Sequence, residues 1–573
     1  MTVQSRSDAI FQRIARMLQA RDPFILFKGD LMKRILSMIA CLMLVSFCLL
    51  TGCKKRGFAF PEPSSELYDG AFNSVTQKMI YANTEYMVDL GTLTVLENRK
   101  AENARYIHLP VLRVRSNAEK PLEPVFCLTG GPGMSNIGHV GMKWYLMPDH
   151  DIVMVGYRGV DGSSVLSCPE VAKAVKGRGR LFSESSMRAI GQAWTRSAKR
   201  FREEGVDINA YTIPDVIEDN ERARKALGYE RINLKSASYG TRVAYFYGLI
   251  HPGIIHRSAM VSVNPPGRFV WERDVFDDQL RMYSGLWAAD SAANNRSKDL
   301  YSDIMKAMRS MPDRWLFLPI DEGKVRCVAF SMLFNNTAAG LVFDSFIAAS
   351  QGDYSGLALM SLAYDFVLPG MFTWGELACK AVSADFDSTR DYISDMAPND
   401  RYPMGSPMSE LLWGPTKYGR WPVRLIPDQY RRLRQSDVET LLISGSIDVG
   451  TPTCYAVQDM LPVLTNGHHV ILKERGHIDM EWPNPEACRR LISSFFQTGV
   501  PDESLNGFVP VNFTVSWGFP VVAKLSVAIL MVIILGFIVA LLLVIRRILR
   551  KRNQRRQGQS AAKKNRAGGP ERG

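Results

Sequence analysis

The runs PVFCLT, DIVMVG, INLKSA and SAMVSV, each short, mostly apolar and released into a stretch of different periodicity, restrict the fold of this chain more than any other feature. A short run with no polar side is buried on both faces, as strands are in a parallel sheet. Between INLKSA and SAMVSV lies YGTRVAYFYGLIHP, with Val243, Tyr247 and Ile250 at helical spacing and Pro252 as a stop. Ahead of Arg231 a second helix is expected from Pro214 to Leu227, ended by Gly228. MVDLGTLTVLEN and RYIHLPVLRVRS read as two strands that open the series, and TLLISGSID and HHVILKERGH as two that close it. Strand and helix in alternation imply an α/β fold, a mostly parallel sheet with helices on both faces.

From residue 267 to 432 the pattern changes. SKDLYSDIMKAMRSM and GLVFDSFIAAS have helical spacing, so a helical cap is expected between the sixth and seventh strands, over the strand ends. The organisation read from the chain is a signal region, 1–53; a first core segment, 54–266; the cap, 267–432; a second core segment, 433–500; a linker, 501–524; a transmembrane helix, 525–545; and a basic tail, 546–573.

Leu525 to Ile545 is a run of 21 residues without a charge. At about 1.5 Å per residue such a helix crosses a hydrocarbon core of roughly 30 Å. The net charge of +13 belongs mainly to the tail after this run, since Arg546 to Gly573 holds eleven Lys or Arg and one acid, leaving +3 for the rest. A nearly neutral body gives no support to nucleic-acid binding. A basic tail directly after an apolar span stays cytoplasmic, which puts the preceding residues on the far side of a lipid membrane.

At the other end, Met32-Lys33-Arg34 precedes the apolar ILSMIACLMLVSFCLLTGC. This resembles a bacterial lipoprotein signal, with Cys53 as the acylated residue and Met32 as an alternative start; an uncleaved anchor is the other reading. Both put the middle of the chain outside the cytoplasm. Six further cysteines, Cys127, Cys168, Cys327, Cys379, Cys454 and Cys488, are then in an oxidising compartment. None has zinc-ligand spacing, and neither metal nor cofactor is expected.

Acyl transfer by a nucleophile needs a hydroxyl, a base, an acid to orient the base, and donors for the oxyanion. In an open α/β sheet these gather at the carboxyl ends of strands. Ser238, in SASYGT, follows a strand and opens a helix, as a strained nucleophile turn requires. Its flanking positions must be small; Gly240 and Ser236 are. Of the eight histidines, His477 is the one that directly follows a strand end and comes after Ser238 in the chain. The orienting acid is Asp448, at the end of TLLISGSID, with Asp479 as a rival two residues from His477. FCLTGGPGMS places Gly130, Gly131 and Gly133 after a strand, where backbone N–H groups can approach a substrate. The N–H of Tyr239 is the second expected donor.

GGPG, GYRGVDGSSVLSC, ERARKALGYERINLKSASYGTRVAYFYGLIHP, GSIDVGTP and GH, in this order, resemble the prolyl aminopeptidase and tripeptidyl aminopeptidase group of α/β-hydrolases, serine peptidase family S33. The resemblance covers about residues 90–265 and 435–500. It implies an α/β-hydrolase fold and a serine exopeptidase that releases N-terminal residues or short peptides, with a cap that reads the substrate amine. It makes Ser238 the nucleophile, His477 the base, Asp448 its orienter, and Gly131 and Tyr239 the oxyanion donors. The chain departs from the family at Thr129, where relatives have His, at Gly156-Tyr157, which replaces Asp-Gln, and at Ser236, which replaces the elbow glycine. In the cap, Ala381 replaces an acid two residues after Cys379, and Glu376 is the carboxylate left to take its place. The resemblance also implies a disulfide between Cys168 and Cys379. The expected substrate is a peptide; a small ester or amide is the alternative, and an inactive binding protein on the same scaffold is the third reading.

Overall fold

In the computed structural model, residues 58–81, 84–137, 148–177, 179–480 and 484–566 are described. The strands are β1 (Ala71–Tyr81), β2 (Thr84–Leu96), β3 (Tyr106–Val114), β4 (Leu122–Leu128), β5 (His150–Val155), β6 (Ile232–Ala237), β7 (Ile255–Val261), a hairpin of β8 (Arg314–Trp315) and β9 (Leu318–Pro319), β10 (Glu439–Gly445) and β11 (Gly467–Leu472). All but the hairpin join one sheet in the order β1-β2-β3-β5-β4-β6-β7-β10-β11. The first three strands pair antiparallel, and β5-β4-β6-β7-β10-β11 is parallel throughout. The sheet has one strand more than the sequence pattern gives. AFNSVTQKMIY, β1, is an edge strand with Val75 and Ile80 exposed, so it lacks the apolar side that marks a buried strand.

Helices α1 (Pro169–Lys176), α2 (Glu184–Glu203), α3 (Ile213–Ala226) and α4 (Tyr239–Ile250) precede β7. The expected stop at Gly228 is real, with φ +77 just past the end of α3. Between β7 and β10 lie α5 (Arg273–Ala289), α6 (Ser291–Arg296), α7 (Leu300–Ser310), α8 (Glu322–Met332), α9 (Ala339–Ser350), α10 (Ser355–Val367), α11 (Trp374–Asp385), α12 (Tyr392–Met396) and α13 (Pro407–Trp413). After β11 come α14 (Pro485–Thr498) and α15 (Phe519–Arg566). Side chains alternate across the sheet. Phe126 and Leu234 point into one core shared with α1 to α4 and the helical block; Val125, Cys127 and Ala259 point into another closed by Leu491, Ile492 and Phe495 of α14. Arg242 of α4 ties the block to the sheet: buried, it pairs with Asp385 and donates to Asn264 at 2.9 Å and to the carbonyl of Pro265 at 2.6 Å.

The linker, 501–524, is docked on the body up to the start of the last helix: Phe513 is buried, its carbonyl accepts from Arg296 at 2.7 Å, and the Val511 N–H donates to Glu474 at 2.9 Å. The apolar helix begins at Phe519, and its part from Phe519 to Gln554 is long and apolar enough to cross a membrane.

Candidate active site

β6 ends at Ala237 and α4 begins at Tyr239, so the chain reverses within one residue. Ser238 takes the strain, with φ 53 and ψ −129, a region seldom occupied by residues other than glycine. The need for small neighbours is unequal on its two sides. A Cβ on Gly240 would overlap the carbonyl oxygen of Leu128 on β4. Ser236 is an ordinary strand residue in register with Leu128 and Met260, and its hydroxyl reaches the Ala259 carbonyl at 3.4 Å. Serine therefore fits at 236, and glycine is required at 240.

The Ser238 hydroxyl lies 2.9 Å from His477 Nε2. On the other side of the ring, His477 Nδ1 is 2.9 and 3.0 Å from the two Asp448 oxygens. With Nδ1–H donated to this carboxylate, Nε2 is free to accept the Ser238 proton. Asp448 is fully buried and also accepts from the N–H groups of Gly450 and Thr451, each at 2.8 Å, and from Thr451 Oγ1 at 2.7 Å. Burial alone would raise its pKa; His477 and the Thr451 hydrogen bonds outweigh that and hold the carboxyl below its ordinary value. Phe334 of the helical block stands edge-on to the His477 ring, 4.6 Å between centroids. Asp479 forms no hydrogen bond to His477 among the described residues, and burial pushes its carboxyl up to about 6.

The glycine loop lies against Ser238. Gly131 and Gly133 adopt φ of +76 and +85, and a Cβ on Gly130 would stand 2.9 Å from the Ser238 hydroxyl. Tyr239 is the first residue of α4, where N–H groups lack partners within the helix. Polar residues outside the sequence reading brace this loop. Asn136 accepts from both the N–H and the hydroxyl of Thr129 at 2.9 Å, and donates to the carbonyls of Cys127 and Val155 at 3.0 and 2.8 Å. Asp161 accepts from Ser135 Oγ at 2.6 Å and from the N–H of Asn136 at 3.0 Å. The SN and GVDG surroundings of GGPG and GYRG carry these residues, but their partners are largely backbone groups that only the folded chain brings near.

Glu376 is enclosed between α11 and the glycine loop. Its carboxylate is completely buried, accepts from the Gly133 N–H and is paired with Lys380 one helical turn along α11. Lys380 in turn lies 4.0 Å from the Tyr157 ring centroid. The Cys168–Cys379 disulfide is also absent, as both are free, buried thiols. Cys168 points to the Leu166 carbonyl at 3.7 Å, and the apolar surroundings of both raise their thiol pKa values. Cys53 lies outside the described residues.

Residues 123–301 match the family described as alpha/beta hydrolase fold, and residues 409–506 the family described as TAP-like protein. The chain has the α/β-hydrolase fold. It is similar to a tripeptidyl aminopeptidase of Streptomyces coelicolor, 29% identical over 203 residues that cover 33% of this chain and 37% of the relative. A tripeptidyl aminopeptidase of Streptomyces lividans is 29% identical over 176 residues, 30% of this chain and 32% of that one. The matched part thus spans about a third of each relative's length. Among solved structures, the α/β-hydrolase MGS-M2 from a Medee basin deep-sea metagenome library aligns at 12% identity over 69% of this chain and 96% of its own, with a TM-score of 0.33. The resemblance read from the sequence motifs agrees with the family and relative matches, which support a hydrolase.

Proposed function

We propose that this protein is a membrane-anchored serine hydrolase, an aminopeptidase that releases N-terminal residues or short peptides. One observation carries the chemistry: a hydroxyl on a strained strand-to-helix turn, 2.9 Å from an imidazole whose other nitrogen meets a buried carboxylate. His477 Nε2 takes the Ser238 proton as Oγ adds to the scissile carbonyl. The oxyanion is held by the N–H groups of Gly131 and Tyr239. Collapse breaks the C–N bond, and the leaving amine takes the proton from His477. Water, deprotonated by the same nitrogen, then hydrolyses the ester and returns the proton to Ser238. No step requires a metal or cofactor.

The peptide substrate is supported by the similarity to tripeptidyl aminopeptidases. A second reading, an esterase or amidase for small acyl groups, is favoured by the burial of Glu376, which removes the cap carboxylate expected to read an amine. The location rests on the apolar part of α15 and its basic end. The body lies outside the cytoplasm, the tail inside, and Cys53 carries lipid. A fluorophosphonate probe and a pair of arylamide substrates test the function. Wild type should be labelled and Ser238→Ala should not, and free tripeptidyl arylamides should be cleaved faster than acetylated ones. Equal rates on both, or a preference for acyl esters, would favour the second reading; labelling of Ser238→Ala would refute the assigned nucleophile.

A further inference from the structure

α10 and α15 start side by side. The Ser355 hydroxyl donates to the Pro520 carbonyl at 3.3 Å, a Cβ on Gly356 would meet the Pro520 ring at 3.0 Å, and Lys524 pairs with Asp353 at 2.6 Å. α10, with α9 beside it, packs against the first turns of α15, where Leu525, Ser526, Val527 and Ile529 are still partly covered, whereas α15 is exposed from Leu530 onward. Helices that start together and run together reach equal depth. At about 1.5 Å per residue, Phe366 is roughly 16 Å beyond Ser355, the level that α15 reaches near Met531. That level is inside the uncharged run Leu525–Ile545.

At this end the helical block is apolar on its outside. Leu362, Phe366, Val367 and Met371 are 37 to 60% exposed, and Leu316 and Phe317, at the tip of the β8–β9 hairpin packed beside α10, are 60 and 55% exposed. Cations rim the patch: Lys176 lies 5.8 Å from the Phe366 ring centroid, and Lys173 and Arg314 are exposed. The nearby acids are already paired, Asp365 with Lys324 at 2.7 Å and Asp313 with Arg180. Apolar side chains ringed by lysine and arginine fit the boundary between acyl chains and anionic headgroups.

We propose that this face of the helical block is seated in the membrane interface beside the anchor. Phe366, Val367, Leu316 and Phe317 enter the acyl boundary, and Lys173, Lys176 and Arg314 meet lipid phosphates. The proposal rests on α15 spanning the membrane. It bears on the site as well: the patch ends at Met371, and the Thr373 N–H two residues on donates to the Gly133 carbonyl at 2.8 Å. The seat therefore holds the loop beside Ser238 near the bilayer.

The test uses the full chain in vesicles of brominated phosphatidylcholine and phosphatidylglycerol, with an environment-sensitive fluorophore on Phe317→Cys, Phe366→Cys, Ile533→Cys in the anchor, or Ile80→Cys on β1. Wild type serves as the labelling blank. Bromine should quench positions 317 and 366 to about the extent seen at 533, and leave 80 unquenched. Quenching at 533 without quenching at 317 and 366 overturns the seat alone; no quenching at 533 overturns the anchor and the seat with it. Labels at 317 and 366 shielded from both bromine and aqueous iodide would mean that a second copy covers the face, which also overturns the proposal.

Discussion

Glu376 separates two ways in which the cap can serve the site. If it read the substrate amine, Glu376→Gln would narrow the difference between free and acetylated substrates and leave the fold alone. The structure predicts another outcome. Glu376 and Lys380 have side-chain exposures of 0 and 1%. Removing one partner of so buried a pair costs about 3–5 kcal/mol, because the other charge is stranded. Glu376→Ala also leaves the Gly133 N–H without its acceptor, a further ~1–3 kcal/mol. Against a typical total of about 5–15 kcal/mol, the alanine variant is close to unfolding. Glu376→Gln keeps an oxygen for Gly133 and loses mainly the pair. The double change Glu376→Gln with Lys380→Met removes both charges and should recover most of the loss. Because Gly133 belongs to the loop beside Ser238, a displacement of about 1 Å would lower kcat about 100-fold. Urea denaturation and kcat/KM on free and acetylated tripeptidyl arylamides check this together. The expected result is a lower midpoint and a lower kcat with the free-to-acetylated ratio unchanged. A narrowed ratio at unchanged midpoint and kcat would refute the positioning argument and return Glu376 to the substrate.

The geometry makes three other outcomes testable. Asp448→Asn should lower kcat about 10⁴-fold, since an amide in place of the carboxylate no longer fixes the His477 tautomer; steady-state kinetics check it, and near-normal activity would argue for Asp479 as the orienter. Gly130→Ala puts a Cβ 2.7 Å from the Ala237 carbonyl and 2.9 Å from the Ser238 hydroxyl, so a shift near 1 Å and a loss of about 100-fold in fluorophosphonate labelling rate are expected; an unchanged rate would mean that the loop yields freely. Asp479, held up at about 6 against an ordinary 3.8, binds its proton more tightly in the folded than in the unfolded chain. Its contribution is therefore complete below pH 4 and lost as pH rises through 6, about 3 kcal/mol at roughly 1.4 kcal/mol per unit. Asp479→Asn should match wild type at pH 4 and exceed it in urea midpoint at pH 7.5; parallel pH dependence in both proteins would refute this.

What the sequence made legible is what depends on position along the chain. The buried parallel strands stand out as continuous apolar runs, and the residues that end or succeed them, Ser238, Asp448 and His477, are brought within hydrogen-bond reach because the strands run parallel. β1 was not legible, since its side chains face solvent. Neither was the role of Glu376. In ELACKAVS the family resemblance gives it to the substrate amine, and only the docking of α11 under the glycine loop buries it against Gly133. The same holds for Asn136 and Asp161.

The sequence departure at Ser236 shows where a motif and its physics part. G-x-S-x-G treats its two glycines alike, yet in this sheet they face different constraints. Gly240 sits where α4 turns back onto β4, and a side chain there would have to displace the Leu128 carbonyl, a member of the parallel ladder. The residue at 236 lies within β6 between two paired strands, with room for a hydroxyl that finds the Ala259 carbonyl. Turn geometry thus demands glycine only on the helical side of the nucleophile, and a chain that keeps Gly240 can place serine at 236 and still hold Ser238 at φ 53, facing His477.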